Sequence, residues 1–261
     1  MAGLDDAALM TFALTATAIL IRVSLIVTFL PVLGEDFAPV RVRALLALAL
    51  TACLIPVVPV HAGALPETTG ELAVLMIPEF ILGLLLGLTA RLVFAAVQFA
   101  GQLAGEQIGF GIASIFDPVN NAQISIVAQL YYLFSILIFF AIDGHHLLLG
   151  ALVQSFEIVP LFSVNLPGSL LGFFGREVAH MFTLAVIIAA PIMAAMLLSN
   201  LALGLVSKAV PQINIFIESF PIHILLGLTI LGLTFGAFGA LLATQFTRLD
   251  GALGQLLQLL Q

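Results

Sequence analysis

Six long apolar runs constrain this chain more than any other feature: residues 7–33, 44–60, 72–97, 124–142, 178–206 and 222–246. Each approaches or exceeds the ~20 residues a helix needs to cross a bilayer. Strands are a poor alternative, because the runs are too long and lack two-residue alternation. Helices are therefore expected throughout, in an all-α, polytopic membrane protein of six long, kinked helices. The rest of the sequence cannot supply a soluble surface. Only 8% of residues are charged, against about 25% in a soluble domain. The medium around most of the chain must be lipid or other protein. No linker, charge block or shift in composition divides it, so residues 1–261 are expected to form one domain.

The net charge of −7 and the scattering of the seven basic residues argue against a nucleic-acid role. The single cysteine, Cys53, excludes an internal disulfide and a cysteine-built metal site; a small core residue is expected there. Asp5 and Asp6 precede the first run, where a cleavable signal would carry basic residues, so that helix is read as retained. Arg41, Arg43 and Lys208 put the first and last connections on the cytoplasmic side and both ends outside, with Arg248 in opposition.

Three charges lie inside apolar runs: Arg22, Glu79 and Arg91. A charge at the bilayer centre costs at least ~2.5 kcal/mol, so each needs a partner or a function. Glu79 and Arg91 are separated by about 18 Å along one helix and cannot pair with each other. Structural pairing, with Glu79 meeting Arg22 or a neighbouring chain and Arg91 snorkelling from a helix end, is weighed above transport chemistry. Glycines recur at four-residue spacing at Gly83/Gly87, Gly101/Gly105/Gly109, Gly168/Gly172 and Gly232/Gly236, which clears a helix face for close backbone approach. Pro191 is expected to kink the fifth run and free a carbonyl.

The sequence carries no HExxH, GxSxG or GxxxxGK[ST] pattern. No catalytic residue, cofactor or metal is expected. The closest approach to a metal cluster is "DGHH", residues 143–146. Its adjacent histidines should point about 100° apart on a helix, which makes them poor joint ligands. Gly144 is expected to end a helix, and His61, His180 and His223 to be packed or interfacial. A short helix is expected within residues 143–177.

The stretch "GEQIGFGIASIFDP", residues 105–118, fits neither an ordinary span nor a water-exposed loop. Glu106 and Asp117 are ionisable, Gly105, Gly109 and Gly111 break the helix pattern, and Ile108, Phe110, Ile112, Ile115 and Phe116 are apolar. Irregular backbone at membrane depth is tolerated only when it is buried in protein or lines a water-filled cavity.

That stretch, followed by "FFAIDGHHLLLGALVQSFEIVP" and "NLALGLVSKAVPQINIFIESFPIHILLGL", resembles the FliR family of bacterial flagellar export-gate proteins, related to the SctT proteins of injectisomes. The resemblance covers nearly the whole chain. It implies a core subunit of the flagellar type III protein export gate. FliP, FliQ and FlhB-type subunits would be its partners, unfolded export substrates its cargo, and membrane lipid its surroundings. It implies a FliP-like part, residues 1–206 with the segment 105–118, and a FliQ-like C-terminal part, residues 207–261, the last two helices forming a FliQ-like hairpin. Glu106, Ile108, Gly109, Phe110, Gly111, Ile112, Ile115, Phe116 and Asp117 would then form a plug in the conduit. Pro211, Gln212, Asn214 and Pro221 would mark a cytoplasmic tip for FlhB, with Pro211 and Pro221 limiting helix continuation at either side. The complex would sit in the bacterial inner membrane at the flagellar basal body, partly on the periplasmic side. The alternative is a small secondary transporter using Arg22, Glu79 and Arg91.

Overall fold

The computed structural model describes residues 2–30, 38–58, 68–110, 125–209 and 215–261. Among them are seven helices: α1 (Ala2–Phe29), α2 (Val40–Leu54), α3 (Thr69–Ile108), α4 (Ile126–Ala141), α5 (Gly144–Ile158), α6 (Ser169–Ala209) and α7 (Ile215–Leu260). Strands are absent among the described residues. Four segments are long and apolar enough to cross a membrane: Ala8–Phe29, Gly70–Ile108, Ser169–Ala209 and Ser219–Leu260. A fifth such length is shared by α4 and α5 across a break.

The differences from six simple runs have local causes. The second run gives a helix of only 15 residues, because Pro56 cannot donate to the ladder and its ring crowds the carbonyl four residues back. The amides of Val57 and Val58 bond the Leu54 carbonyl instead and close a tight turn. The fourth run stops at Ala141, and Asp143 then takes the left-handed conformation, φ 57°, before α5 begins. α5 is the short helix expected within residues 143–177. Gly144 opens it and does not end a helix, contrary to expectation. Pro78, Pro191 and Pro221 all lie inside continuous helices.

Exposed hydroxyls on these helices bond to their own backbone. Thr17, Thr28, Thr183 and Thr229 are exposed, yet each donates at 2.7–2.9 Å to the carbonyl four residues earlier in its own helix. In lipid no water competes for the hydroxyl, so turning it back on the backbone is its cheapest option.

The chain divides into two compact units. Unit 1 comprises Met1–Leu92, Asp143–Glu177 and Thr247–Gln261. α1 packs on α2 there. Ile19, Val23, Leu82, Leu86, Leu152 and Leu256 are among its buried residues. The Asn165 amide donates to the Leu260 carbonyl at 3.0 Å and ties down the end of α7. Unit 2 comprises Val93–Ile142 and Val178–Phe246. Its core is aromatic: the Phe94 ring lies 5.2–6.4 Å from the rings of Tyr132, Phe139 and Phe246. Offset and edge-on pairs of this kind each add about 0.5–1.5 kcal/mol beyond area burial. Cys53, expected in a core, is exposed on α2. In an apolar medium, exposure of a weakly polar thiol carries little cost.

Candidate functional site

Arg22 and Glu79 come together at the centre of unit 1, both fully buried. Arg22 Nε donates to Glu79 Oε2 at 2.7 Å, and Nη2 lies 2.6 Å from the same oxygen as a charge contact without hydrogen-bond alignment. Nη1 donates to the Ser155 carbonyl at 2.9 Å and the Val159 carbonyl at 3.2 Å. The Ser155 hydroxyl donates to the Leu152 carbonyl and accepts from the same Nη1. The guanidinium carbon sits 4.3 Å from the centroid of the Phe156 ring. The remaining Glu79 oxygen, Oε1, accepts the Phe162 amide at 2.8 Å.

Phe162 has φ 66°, a rare backbone state for a bulky residue. It occupies the third position of a turn closed by the Ser163 amide on the Pro160 carbonyl. Such strain costs about 1–3 kcal/mol and persists where surroundings over-determine it; here the Glu79 carboxylate holds the amide. α1, α3 and α5 with the turn after it are thus fastened at one point. Gly83, one turn along α3 from Glu79, makes the approach possible. A Cβ there would lie 2.9 Å from the Arg22 carbonyl oxygen, and one on Gly87 would lie 2.6 Å from Phe29 Cβ. Arg91 is exposed on α3, with its guanidinium 6.0 Å from the Phe29 ring centroid. It takes no part in the Arg22–Glu79 cluster.

In unit 2 the end of α3 is built by the second glycine stripe. Added side-chain carbons on Gly101 and Gly105 would collide with Ala128 and Ser125. Ser125 caps α4, its hydroxyl accepting the Val127 amide at 3.2 Å, and its own amide donates to Gln102. Gly109 does not extend the packing face. It has φ +100° and ends the helix, donating to the Gly105 and Glu106 carbonyls while the Phe110 amide returns to Gly105. This is the glycine-terminated ending that satisfies last-turn carbonyls.

The proposed plug residues therefore divide. Glu106 is exposed in the last turn and accepts from Gln102 at 2.9 Å. Ile108 is fully buried and fills the space over Gly227, beside Met196. Phe110 is half-buried. Gly111, Ile112, Ile115, Phe116 and Asp117 lie outside the described residues, as do Pro211, Gln212 and Asn214. Pro221 does not limit the last helix: α7 starts at Ile215 and passes through it. As the seventh residue of α7, Pro221 forgoes the bond to the carbonyl of residue 217 and its ring crowds that carbonyl, yet the helix continues through it.

Sequence reasoning named Arg22 and Glu79 but missed Ser155, Phe156, Val159 and Phe162. The backbone atoms of Ser155, Val159 and Phe162 serve the charges, and no residue type announces that. The glycine stripes at 83/87 and 101/105 pack, whereas nothing described lies within 4 Å of a Cβ on Gly168, Gly232 or Gly236. His180 Nε2 meets Gln245 Oε1 at 2.7 Å, His223 is buried, and His61 lies outside the described residues.

Residues 13–249 match the family described as bacterial export proteins, family 1. A protein of Pectobacterium carotovorum subsp. carotovorum named flagellar biosynthetic protein FliR is 30% identical over 82% of this chain and 81% of its own length. The protein of that name from Caulobacter vibrioides is 31% identical over 84% of this chain and 87% of its own. The one from Escherichia coli is 29% identical over 81% and 80%.

Proposed function

The chain belongs to the bacterial export proteins, family 1, the family of its FliR relatives, and from that membership we propose that it is a core subunit of the flagellar type III export gate. In this reading it assembles with FliP-, FliQ- and FlhB-type subunits in the bacterial inner membrane, partly on the periplasmic side. Residues 1–206 act as the FliP-like part and 207–261 as the FliQ-like part. Together they line a conduit for unfolded substrates. The chain works by shape and contributes no chemical step.

One observation carries the reading: apolar helices too long for the bilayer. α6 and α7 have 41 and 46 residues, about 60 Å or more each at 1.5 Å per residue. The hydrocarbon core is ~30 Å thick. Exposed apolar side chains run along α6 from Leu171 (83% exposed) through Phe182, Ile187 and Leu198 to Leu205 (69%), about 50 Å along the axis. Lipid cannot cover such a length from end to end, and water would meet exposed apolar side chains over the remainder. Sibling subunits of similar apolar character would cover the excess. The transporter alternative loses its chemistry, because the described hydrogen bonds already commit Arg22 and Glu79 to protein partners.

The plug belongs to the same proposal. α3 ends on the buried anchor Ile108 and the left-handed Gly109. The next residues, 111–118, include the apolar side chains of Ile112, Ile115 and Phe116. The chain enters that segment from a fixed point, which suits a stopper that is held at its root and yields at its tip. Deleting residues 111–115 leaves the Gly109 ending in place. The deletion is expected to permit assembly and to raise small-ion leakage, read as a loss of membrane potential. An assembled deletion variant with unchanged ion permeability would refute the plug.

A further inference from the structure

The geometry points to a divalent transition-metal site formed by Asp143, His145 and His146 at the start of α5. From sequence, the two histidines should diverge around the helix. In the structure their rings stack with centroids 4.1 Å apart, tilted by 37°. One ligand atom from each of the three residues lies within 4.8 Å of the other two. His146 Nδ1 is 3.6 Å from Asp143 Oδ1, and both side chains are more than two-thirds exposed.

The local backbone explains the convergence. Asp143 sits in the left-handed conformation just ahead of α5, and its carbonyl accepts the His146 amide at 2.9 Å. Gly144, between it and the histidines, adds no side chain to obstruct them. Two imidazoles and one carboxylate are the donor set of zinc-class ions, and three protein ligands leave a fourth position open. Tetrahedral bonds of 2.0–2.1 Å need ligand atoms about 3.3 Å apart. The cluster must therefore tighten: the exposed Asp143 and His146 can turn about their own bonds toward the half-buried His145. The positive end of a helix opposes a cation; the Asp143 carboxylate, at the same end, offsets it.

The test uses the full chain with its co-purifying subunits in mild detergent, carrying an affinity tag without histidine. Zinc chloride alone is the titrant in calorimetry. Wild type is expected to bind one zinc per chain at this site, with cobalt and nickel competing and magnesium not. His145→Ala and His146→Ala should each weaken that binding about tenfold or more. Asp143→Asn should weaken it too while keeping the turn, since asparagine tolerates the left-handed conformation. Melting temperatures without metal check that each variant is folded. No saturable binding by wild type, equal affinity in folded variants, or equal competition by magnesium would each overturn the site.

Discussion

Arg22 and Glu79 show how far a single pair of charges can organise a lipid-immersed fold. The two residues are 57 positions apart, and the carbonyls and amide that complete their shell are recruited from a third part of the chain. Removing one partner leaves the other charge buried and uncompensated, at a cost of about 3–5 kcal/mol. Glu79→Gln and Arg22→Met should each lower the melting temperature of the purified complex markedly. The double variant Arg22→Met/Glu79→Leu should recover most of that loss, because no buried charge remains. Additive losses in the cycle would show that the two side chains act independently. At this scale the sequence is half legible. An ionisable residue inside an apolar run stands out. Val159 and Phe162 do not, because their backbone atoms do the bonding and neither side chain signals it. The left-handed Phe162 carries no sequence cue, since that conformation ordinarily selects glycine or asparagine.

Among the elements, apolar runs give the helices and glycine gives the places where they touch, but not every stripe touches within this chain. Gly83 faces the α1 backbone, and Gly232 faces open space among the described residues. Gly83→Val should force α1 from α3 and cost about 1–3 kcal/mol of overpacking. Gly232→Val should leave folding of the chain unchanged. Thermal unfolding of the two variants, measured side by side, distinguishes them; equal losses would contradict the packing described for α3. The stripes look alike in sequence because spacing alone does not reveal what lies opposite. Proline is similarly ambiguous. Pro56 accompanies the end of α2, while Pro78, Pro191 and Pro221 are absorbed into longer helices. The residue type alone does not say which.

Over the whole molecule the apolar surface is the dominant fact. The most apolar stretch of α7 is only 17% buried, whereas its C-terminal end buries Leu249, Leu253, Leu256 and Leu260. The helices and their medium were legible from composition and run length. The division into two units was not, because α3, α6 and α7 each contribute to both, and a continuous apolar run carries no mark where its neighbours change. The excess of helix over bilayer thickness makes neighbouring proteins, and not lipid alone, the expected cover. The most direct measurement places a photo-activated cross-linking side chain at Leu171, Ile187 and Leu205 in living cells. The account predicts cross-links to other membrane subunits from at least one end of α6. Labelling of lipid alone at all three positions, with the chain folded and inserted, would contradict it.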